Sequence, residues 1–384
     1  MAKTFEEINA KIRQGQAVVV TAEEMVELSA EQGVKKAAMM VDVVTTGTFG
    51  PMCSSGAFIN FGHSEPPIRM SEIYLNDVPA SGGIAAVDTY IGATELSRSQ
   101  GMAYGGAHVI QDLIEGKSVR LEARSVGTDC YPRKSIDTWI SKEDINQAYL
   151  YNPRNAYQNY PAAANTTGRT IYTYMGRLLP ECANVNYSTS GELSPLLKDP
   201  TMRTIGMGTR IFLGGTAGYV SWEGSQYKTV REELPNGDVY HAGRTLAVAG
   251  NLKDMSNEFI RAAVFEGYGV TMYVGLGIPI PVLDEDLAAE LAVSNDHLYT
   301  YISDYSAPGH PSLKRATYAE LRSGSVELNG KRVPAAALSS LHKAREIAAA
   351  LKEWVEAGKF LFQEPVVRFP DEQAFKPLTE KEAR

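Results

Sequence analysis

Apolar residues recur along this chain with two periods, one of three to four positions and one of two, and their succession predicts an α/β body. Phe5, Ile8 and Ile12 stand at helical spacing before Gly15 breaks the segment, and Ala17 to Val20 forms a short run suited to a buried strand. Thr21 followed by Glu24 is a capping-box pair that opens the next helix, which Gly33 closes. Val41 to Thr46, VDVVTT, is rich in β-branched residues and predicts a strand. Ile68 to Val78 alternates apolar and polar residues as a half-buried strand does, and Ser81, Gly82 and Gly83 then turn the chain. Ala85 to Ile91 predicts another strand, Gly105 to Glu115 a helix stopped by Gly116, and Val119 to Val126 a further strand. Arg244 to Ala249 and Val270 to Leu276 read as buried strands, the second leaving through GIPIPVLDED, where the prolines impose an extended exit. Asn236-Gly237 and Asn329-Gly330 lie between strand-like runs and predict hairpins with positive φ. Pro334 opens a long helix with Leu338, Leu341, Ala348, Leu351 and Val355 on one face, ended by Gly358, and the charged tail after Pro370 frays. The fold class is α/β, a mixed sheet with flanking helices.

The pattern changes between Tyr131 and about Pro200, where Tyr, Asn, Pro and Thr dominate and periodicity is weak. Seven of the chain's twenty tyrosines fall between Tyr149 and Tyr187, too many for a disordered linker. This stretch reads as an irregular, ordered, Tyr-rich lobe that covers a site or forms an interface between copies of the chain, since an aromatic body with a polar tip suits both. The body with this lobe spans residues 1–330, and residues 331–384 form a C-terminal helix and tail. Ile205 to Val220 is glycine-rich but lacks both the GK[ST] ending of a phosphate loop and G-x-G-x-x-G spacing. Close backbone packing beside the site explains its glycines better.

Composition narrows the function classes. With 37 basic and 45 acidic residues the formal net charge is -8, which argues against nucleic acid or an anionic membrane surface as partner. No apolar run approaches the roughly 20 residues that span a bilayer, and MAKTFEEINAKIRQGQ carries charge where a signal peptide has its apolar core, so a cytoplasmic location is expected. Three cysteines in 384 residues do not make a disulfide framework. Zinc is disfavoured, because neither a C-x-x-C pair nor a histidine pair at ligand spacing occurs.

The candidate chemistry gathers at two of these cysteines. Cys53 sits in TFGPMCSSGAFINFGHSEPP after the Val41 strand, among Gly, Ser and Pro, where backbone N–H groups can approach an anion or a thiolate. Cys130 sits in SVGTDCYPRKS, again in a turn after a strand, three residues before Arg133 and Lys134, and nearby cations favour a thiolate. Both cysteines therefore follow strands, and both turns are expected at one sheet edge beneath the Tyr-rich lobe. His63 is the better acid–base candidate, ten residues beyond Cys53, and His310 in APGHPS is a loop histidine more easily read as solvated. Arg133 and Lys134 serve either thiolate activation or the binding of a substrate carboxylate. Cys182, in LLPECANVNYS, has no basic flank and is read as structural.

Taken together, TFGPMCSSGAFINFGHSEPPIRM, GGAHVIQDLIEGKSVRLEARSVGTDCYPRK and GTRIFLGGTAGYV, in this order and spacing, resemble the homocysteine-biosynthesis family, the L-aspartate semialdehyde sulfurtransferases of anaerobic archaea and bacteria. The resemblance extends roughly to Gln363. It implies synthesis of homocysteine from L-aspartate semialdehyde, sulfide and two electrons, with Cys53 and Cys130 as the functional cysteines. One would carry a persulfide and the other would resolve it as a Cys53–Cys130 disulfide; which does which stays open. The resemblance further implies no cofactor bound by this chain, and electrons from a separate ferredoxin-like Fe–S protein. Many archaeal members carry C-terminal CBS regulatory domains for which this chain has no room, so adenosine-nucleotide regulation is not implied. Two other classes fit the same residues: a cysteine-ligated Fe–S or metal module, and a non-catalytic ligand-binding protein with structural cysteines.

Overall fold

The computed structural model describes the chain except residues 1, 231, 234–238, 241–242, 375, 377 and 382–384. The Asn236-Gly237 hairpin therefore lies outside the described residues. Among these, a thirteen-stranded sheet forms the body. From one edge it runs through Ser135–Ile140, Val119–Arg124, Glu72–Leu75, Val78–Ser81, Asp88–Gly92 and Gly56–Asn60 to Gln147–Asn155. It continues through Leu246–Asn251, Thr216–Glu223, Arg210–Leu213 and Gly269–Gly277 to Ile260–Phe265, with Thr48–Pro51 also paired to Gly269–Gly277. Each of these pairings is antiparallel.

Mixed pairing occurs in the two smaller sheets that complete the α/β fold. Val43–Thr45 pairs parallel with Val19–Thr21 and antiparallel with Pro279–Pro281, so the proline-bearing exit is itself a strand. A six-stranded sheet joins Ala162–Ala164 in parallel to Tyr299–Asp304 and Val185–Tyr187 in parallel to Lys331–Ala337. The tyrosine-dense stretch thus contributes short strands to more than one sheet.

Helices cover these sheets by their apolar faces. Gly106–Ile114 places Val109, Ile110 and Leu113 in one apolar cluster with Ile59, Leu121 and Val274. The capping box of Thr21 and Glu24 is formed on Ala22–Gln32, and Gly33 closes that helix at φ 83°. Leu341–Glu356 buries Ala344, Ile347, Ala348, Leu351 and Val355. None of the helices, among the described residues, is long and apolar enough to cross a membrane.

Two of the sequence assignments need correction. Ile68 to Val78 is not one strand but the first arm and turn of a hairpin, Glu72–Leu75 and Val78–Ser81, folded at Asn76 and Asp77, with φ 47° and 66°. The adjacent polar pair Asn76-Asp77 breaks the alternation at the turn, since both residues tolerate the positive φ the reversal needs. Pro334 does not start the last helix; it lies in the strand Lys331–Ala337 opposite Ser325, and Ser340 is the N-cap, accepting from the Lys343 N–H at 3.3 Å. Asn329 and Gly330, at φ 53° and 72°, make the expected hairpin turn. In the glycine-rich segment, Gly214 and Gly215 at φ 63° and 95° turn a hairpin between Arg210–Leu213 and Thr216–Glu223.

Gly47 links the three-stranded sheet to the strand before Cys53, and it has no room for a side chain. A Cβ there would fall on the carbonyl oxygen of Ala344 and crowd the Ala348 N–H in the last helix, both backbone atoms. Gly47→Ala should therefore destabilise the protein by about 1–3 kcal/mol, seen as a lower urea midpoint at unchanged slope.

Candidate active site

Cys53 lies in a β-turn, Met52 to Ser55, closed by the Ser55 N–H donating to the Met52 carbonyl at 3.1 Å. On one side the Met52 N–H donates to the Met272 carbonyl at 2.7 Å, and on the other the Ala93 N–H donates to the Ser55 carbonyl at 2.8 Å. The turn is thereby fixed between two distant strands of the sheet. Cys53 and Ser54 hold its central positions, whose amide N–H groups take no part in closing such a turn. The small residues after the thiol make this tight geometry possible, as their sequence implied.

The thiol faces hydroxyl groups. Cys53 Sγ is 3.1 Å from Oγ1 of Thr271, a fully buried residue on Gly269–Gly277. Tyr268, from the turn before that strand, lines the same cavity as Cys53; burial first, and then negative charge on Cys53, push its phenol up to about 12. It remains an O–H donor at neutral pH. Arg154, at the end of Gln147–Asn155, donates to Ser54 Oγ through Nη2 at 3.2 Å and Nε at 3.4 Å.

These residues line a cavity of about 420 Å³. Its wall includes Tyr157, Tyr160 and Tyr174 from the tyrosine-dense stretch, which does cover the Cys53 turn as expected. The Tyr160 hydroxyl donates to that of Tyr174 at 2.9 Å, and burial raises its pKa strongly, so it stays neutral. Thr48, Thr189 and Ser194 add hydroxyl groups, and Gln226 an amide. Among the described residues the lining contains no Asp, Glu, Lys or His, and Arg154 is its charged member.

Cys130 is elsewhere. The strand Gly56–Asn60, which begins after Cys53, is separated from Val119–Arg124, which ends before Cys130, by four antiparallel steps. An even number of reversals makes the two strands run the same way. Cys53 precedes one and Cys130 follows the other, so the two turns lie at opposite ends of these strands. The expectation of one shared sheet edge is thus overturned. Strand parity, which no local pattern records, is the reason.

The Cys130 turn has its own neighbourhood. Thr128 and Tyr131 exchange backbone hydrogen bonds at 2.9 and 3.0 Å around Cys130, whose residue is exposed. His63 stacks on Tyr131 with ring centroids 6.1 Å apart, so it belongs with this turn and not with the Cys53 cavity. The Arg133 N–H donates to the Pro67 carbonyl at 3.3 Å and its Nε to the Ser135 carbonyl at 3.0 Å, while Lys134 is exposed. His310 is exposed in its loop and stacks on Tyr305 at 4.3 Å. Cys182 is 2% exposed, and burial followed by the charge of Asp304 pushes its thiol up. Among the described residues, no three or more His, Cys, Asp or Glu side chains gather as metal ligands.

Thr271, Tyr268 and Arg154 were not singled out in the sequence. Tyr268 carried a weak signal, an aromatic held between two glycines in EGYGV; Thr271 and Arg154 carried none, because the tertiary fold alone brings their strands to Cys53.

A thiol in a cavity lined by hydroxyl groups, whose charged lining residue is a guanidinium, marks an α/β protein suited to cysteine-based chemistry on a small polar molecule. Comparison with known proteins gives the particular group. Residues 17–362 match the model of the homocysteine biosynthesis enzyme, sulfur-incorporation family, and the chain belongs to that family. It is 51% identical over 383 residues to an L-aspartate semialdehyde sulfurtransferase of Methanosarcina acetivorans, covering 99% of this chain and 75% of that relative. It is also 51% identical over 381 residues to an L-aspartate semialdehyde sulfurtransferase of Methanocaldococcus jannaschii, covering 95% of this chain and 72% of the relative. A protein of Methanothermobacter thermautotrophicus without an assigned activity is 28% identical over 330 residues. No solved structure matches the chain.

The three thiols should differ in reactivity. In the native protein, iodoacetamide should label exposed Cys130 and cavity-lining Cys53, and should reach Cys182 only after unfolding, because its thiol is buried and neutral. Peptide mass spectrometry before and after denaturation checks this order.

Proposed function

We propose that this chain makes homocysteine from L-aspartate semialdehyde, sulfide and two electrons, and that the aldehyde meets sulfur in the Cys53 cavity. The observation that supports this most directly is the Cys53 thiol, hydrogen-bonded to Thr271 and sharing with Tyr268 the wall of a cavity without acidic side chains among the described residues, in a chain of the sulfur-incorporation family. Overall, one aldehyde, one hydrogen sulfide, two electrons and two protons give one thiol and one water. Sulfide opens a Cys53–Cys130 disulfide, leaving a persulfide on Cys53 and a free Cys130 thiol; the persulfide then attacks the aldehyde carbon, and the carbonyl oxygen becomes an oxyanion that takes a proton. The Thr271 hydroxyl beside the Cys53 sulfur and Tyr268, a lining residue protonated at neutral pH, supply O–H donors.

The Cys130 thiol then breaks the bond between the transferred sulfur and Cys53, restoring the disulfide and releasing a 1-hydroxy thiol; this loses water to a thioaldehyde, which two electrons and two protons from the external donor reduce to homocysteine. A Cys53–Cys130 disulfide within one chain needs Cα atoms within about 7 Å. With the turns at opposite strand ends, forming it takes movement of the Cys130 turn or that turn from a second copy. In this reading Cys130 is the resolving thiol, for which an exposed position is suited, and the electrons come from an external Fe–S donor. The scattering of the three cysteines over a cavity, an exposed turn and a buried site disfavours a cluster-binding module, which brings cysteine ligands together.

Anaerobic turnover of L-aspartate semialdehyde and sulfide with a low-potential reductant, assayed for homocysteine, tests the reading. Cys53→Ala and Cys130→Ala should each abolish product, the double variant should be no worse, and Cys182→Ala should keep most activity. Wild-type turnover by Cys53→Ala would overturn the cavity as the reaction site.

A further inference from the structure

We infer that Arg154 is the anchor for the substrate carboxylate, and that the cavity selects its aldehyde by that carboxylate and not by the amino group. The inference rests on reading the Cys53 cavity as the place where the aldehyde reacts. Three features of the structure lead to it.

The first is an uncompensated charge. The Arg154 guanidinium is half-buried, and the hydrogen-bond acceptor it engages is a single neutral oxygen, Ser54 Oγ, which two of its nitrogens share. Among the described residues no acidic side chain lines the cavity. A guanidinium withdrawn from water without a counter-charge is costly, and a planar fork with spare donors matches a carboxylate in a bidentate pair. The charge reaches into the cavity, since it also acts on the Tyr160 phenol, lowering its pKa against the larger effect of burial.

The second feature is distance along the chain. Ser54 follows Cys53 directly, with Cα atoms about 3.8 Å apart. The guanidinium that touches Ser54 and the thiol of Cys53 are thus held by adjacent residues of one turn on the wall of one cavity, so a molecule with a carboxylate at one end and an aldehyde at the other can meet both.

The third is what the wall lacks. With no Asp or Glu among the described lining residues, the α-ammonium of an amino acid meets hydroxyl groups and tyrosine rings and no ion-pair partner. Such contacts contribute less than a charge-assisted pair. The carboxylate therefore decides binding.

The test compares wild type, Arg154→Gln and Arg154→Lys on three aldehydes: L-aspartate semialdehyde, its deamino analogue succinate semialdehyde, and butanal, which has no carboxylate. Arg154→Gln should raise KM for L-aspartate semialdehyde between about ten- and a hundredfold with kcat changed little, the size expected for losing charge-assisted hydrogen bonds. Arg154→Lys should recover part of that loss. Wild type should accept succinate semialdehyde within about tenfold in kcat/KM and should discriminate against butanal by at least about a hundredfold, a difference that Arg154→Gln should shrink.

A second readout does not depend on turnover. L-homoserine, which has the same carboxylate and no aldehyde, should protect Cys53 from iodoacetamide in wild type and not in Arg154→Gln. Equal alkylation rates of the two proteins without ligand show that the cavity is intact. Unchanged KM and full protection in Arg154→Gln would overturn the anchor while leaving the cavity reading in place. A fall in kcat and in ligand-free alkylation at constant KM would overturn it too, by assigning the guanidinium to the sulfur. Arg154-dependent protection in a wild-type protein that forms no homocysteine would support the anchor and sink the reaction reading.

Discussion

The buried hydrogen bond from Asn152 Nδ2 to Ser55 Oγ, 2.7 Å long, joins the strand that carries Arg154 to the turn that carries Cys53. Asn152 is fully buried and Ser55 nearly so, and leaving either group unpaired there would cost more than the bond itself contributes. Ser55 Oγ donates in turn to the Met52 carbonyl at 2.7 Å, which also receives the Ser55 N–H, so one side chain braces the whole turn. Ser54 and Arg154 are each two or fewer residues from this bond, and the register of thiol and guanidinium follows from it. A site built between strands in this way is held more firmly than one on a free loop.

The cavity has an electrostatic character opposite to that of the protein. The chain as a whole is acidic, at -8, yet the described lining holds one guanidinium and a set of neutral hydroxyls. Burial keeps these phenols neutral at physiological pH, Tyr160 and Tyr268 among them, by making the phenolate unfavourable. A wall of protonated O–H groups can stabilise negative charge on sulfur or on a carbonyl oxygen without itself carrying a charge. The tyrosine-dense stretch thereby serves the cavity through the polar tips of its rings as well as their area.

The separation of Cys53 and Cys130 shows how the sheet constrains any partnership between them. Each cysteine borders a strand of the same sheet, but one turn enters its strand and the other leaves, and four reversals between the strands place them at opposite ends. His63 follows the same logic: it lies past the far end of Gly56–Asn60, and so it reaches Tyr131 and not the thiol ten residues before it. The five strand residues between them carry the chain from one end of the sheet to the other.

The sequence by itself determined what local chemistry controls. The capping box at Thr21 and Glu24, the Asn329-Gly330 turn, the helix from Gly106 and the small residues that let Cys53 occupy a tight turn all follow from interactions within a few positions, and each was legible. Where two local rules competed, the reading went astray: the turn residues Asn76-Asp77 outweighed the alternation on either side of them, and Ser340, not Pro334, opened the last helix. The tertiary structure alone decided that Thr271, Tyr268 and Arg154 surround Cys53 and that Cys130 does not. Those neighbours come from strands as much as 218 residues away, paired through backbone hydrogen bonds that any side chain can accompany. Strand order and direction therefore left no mark on the residues they brought together.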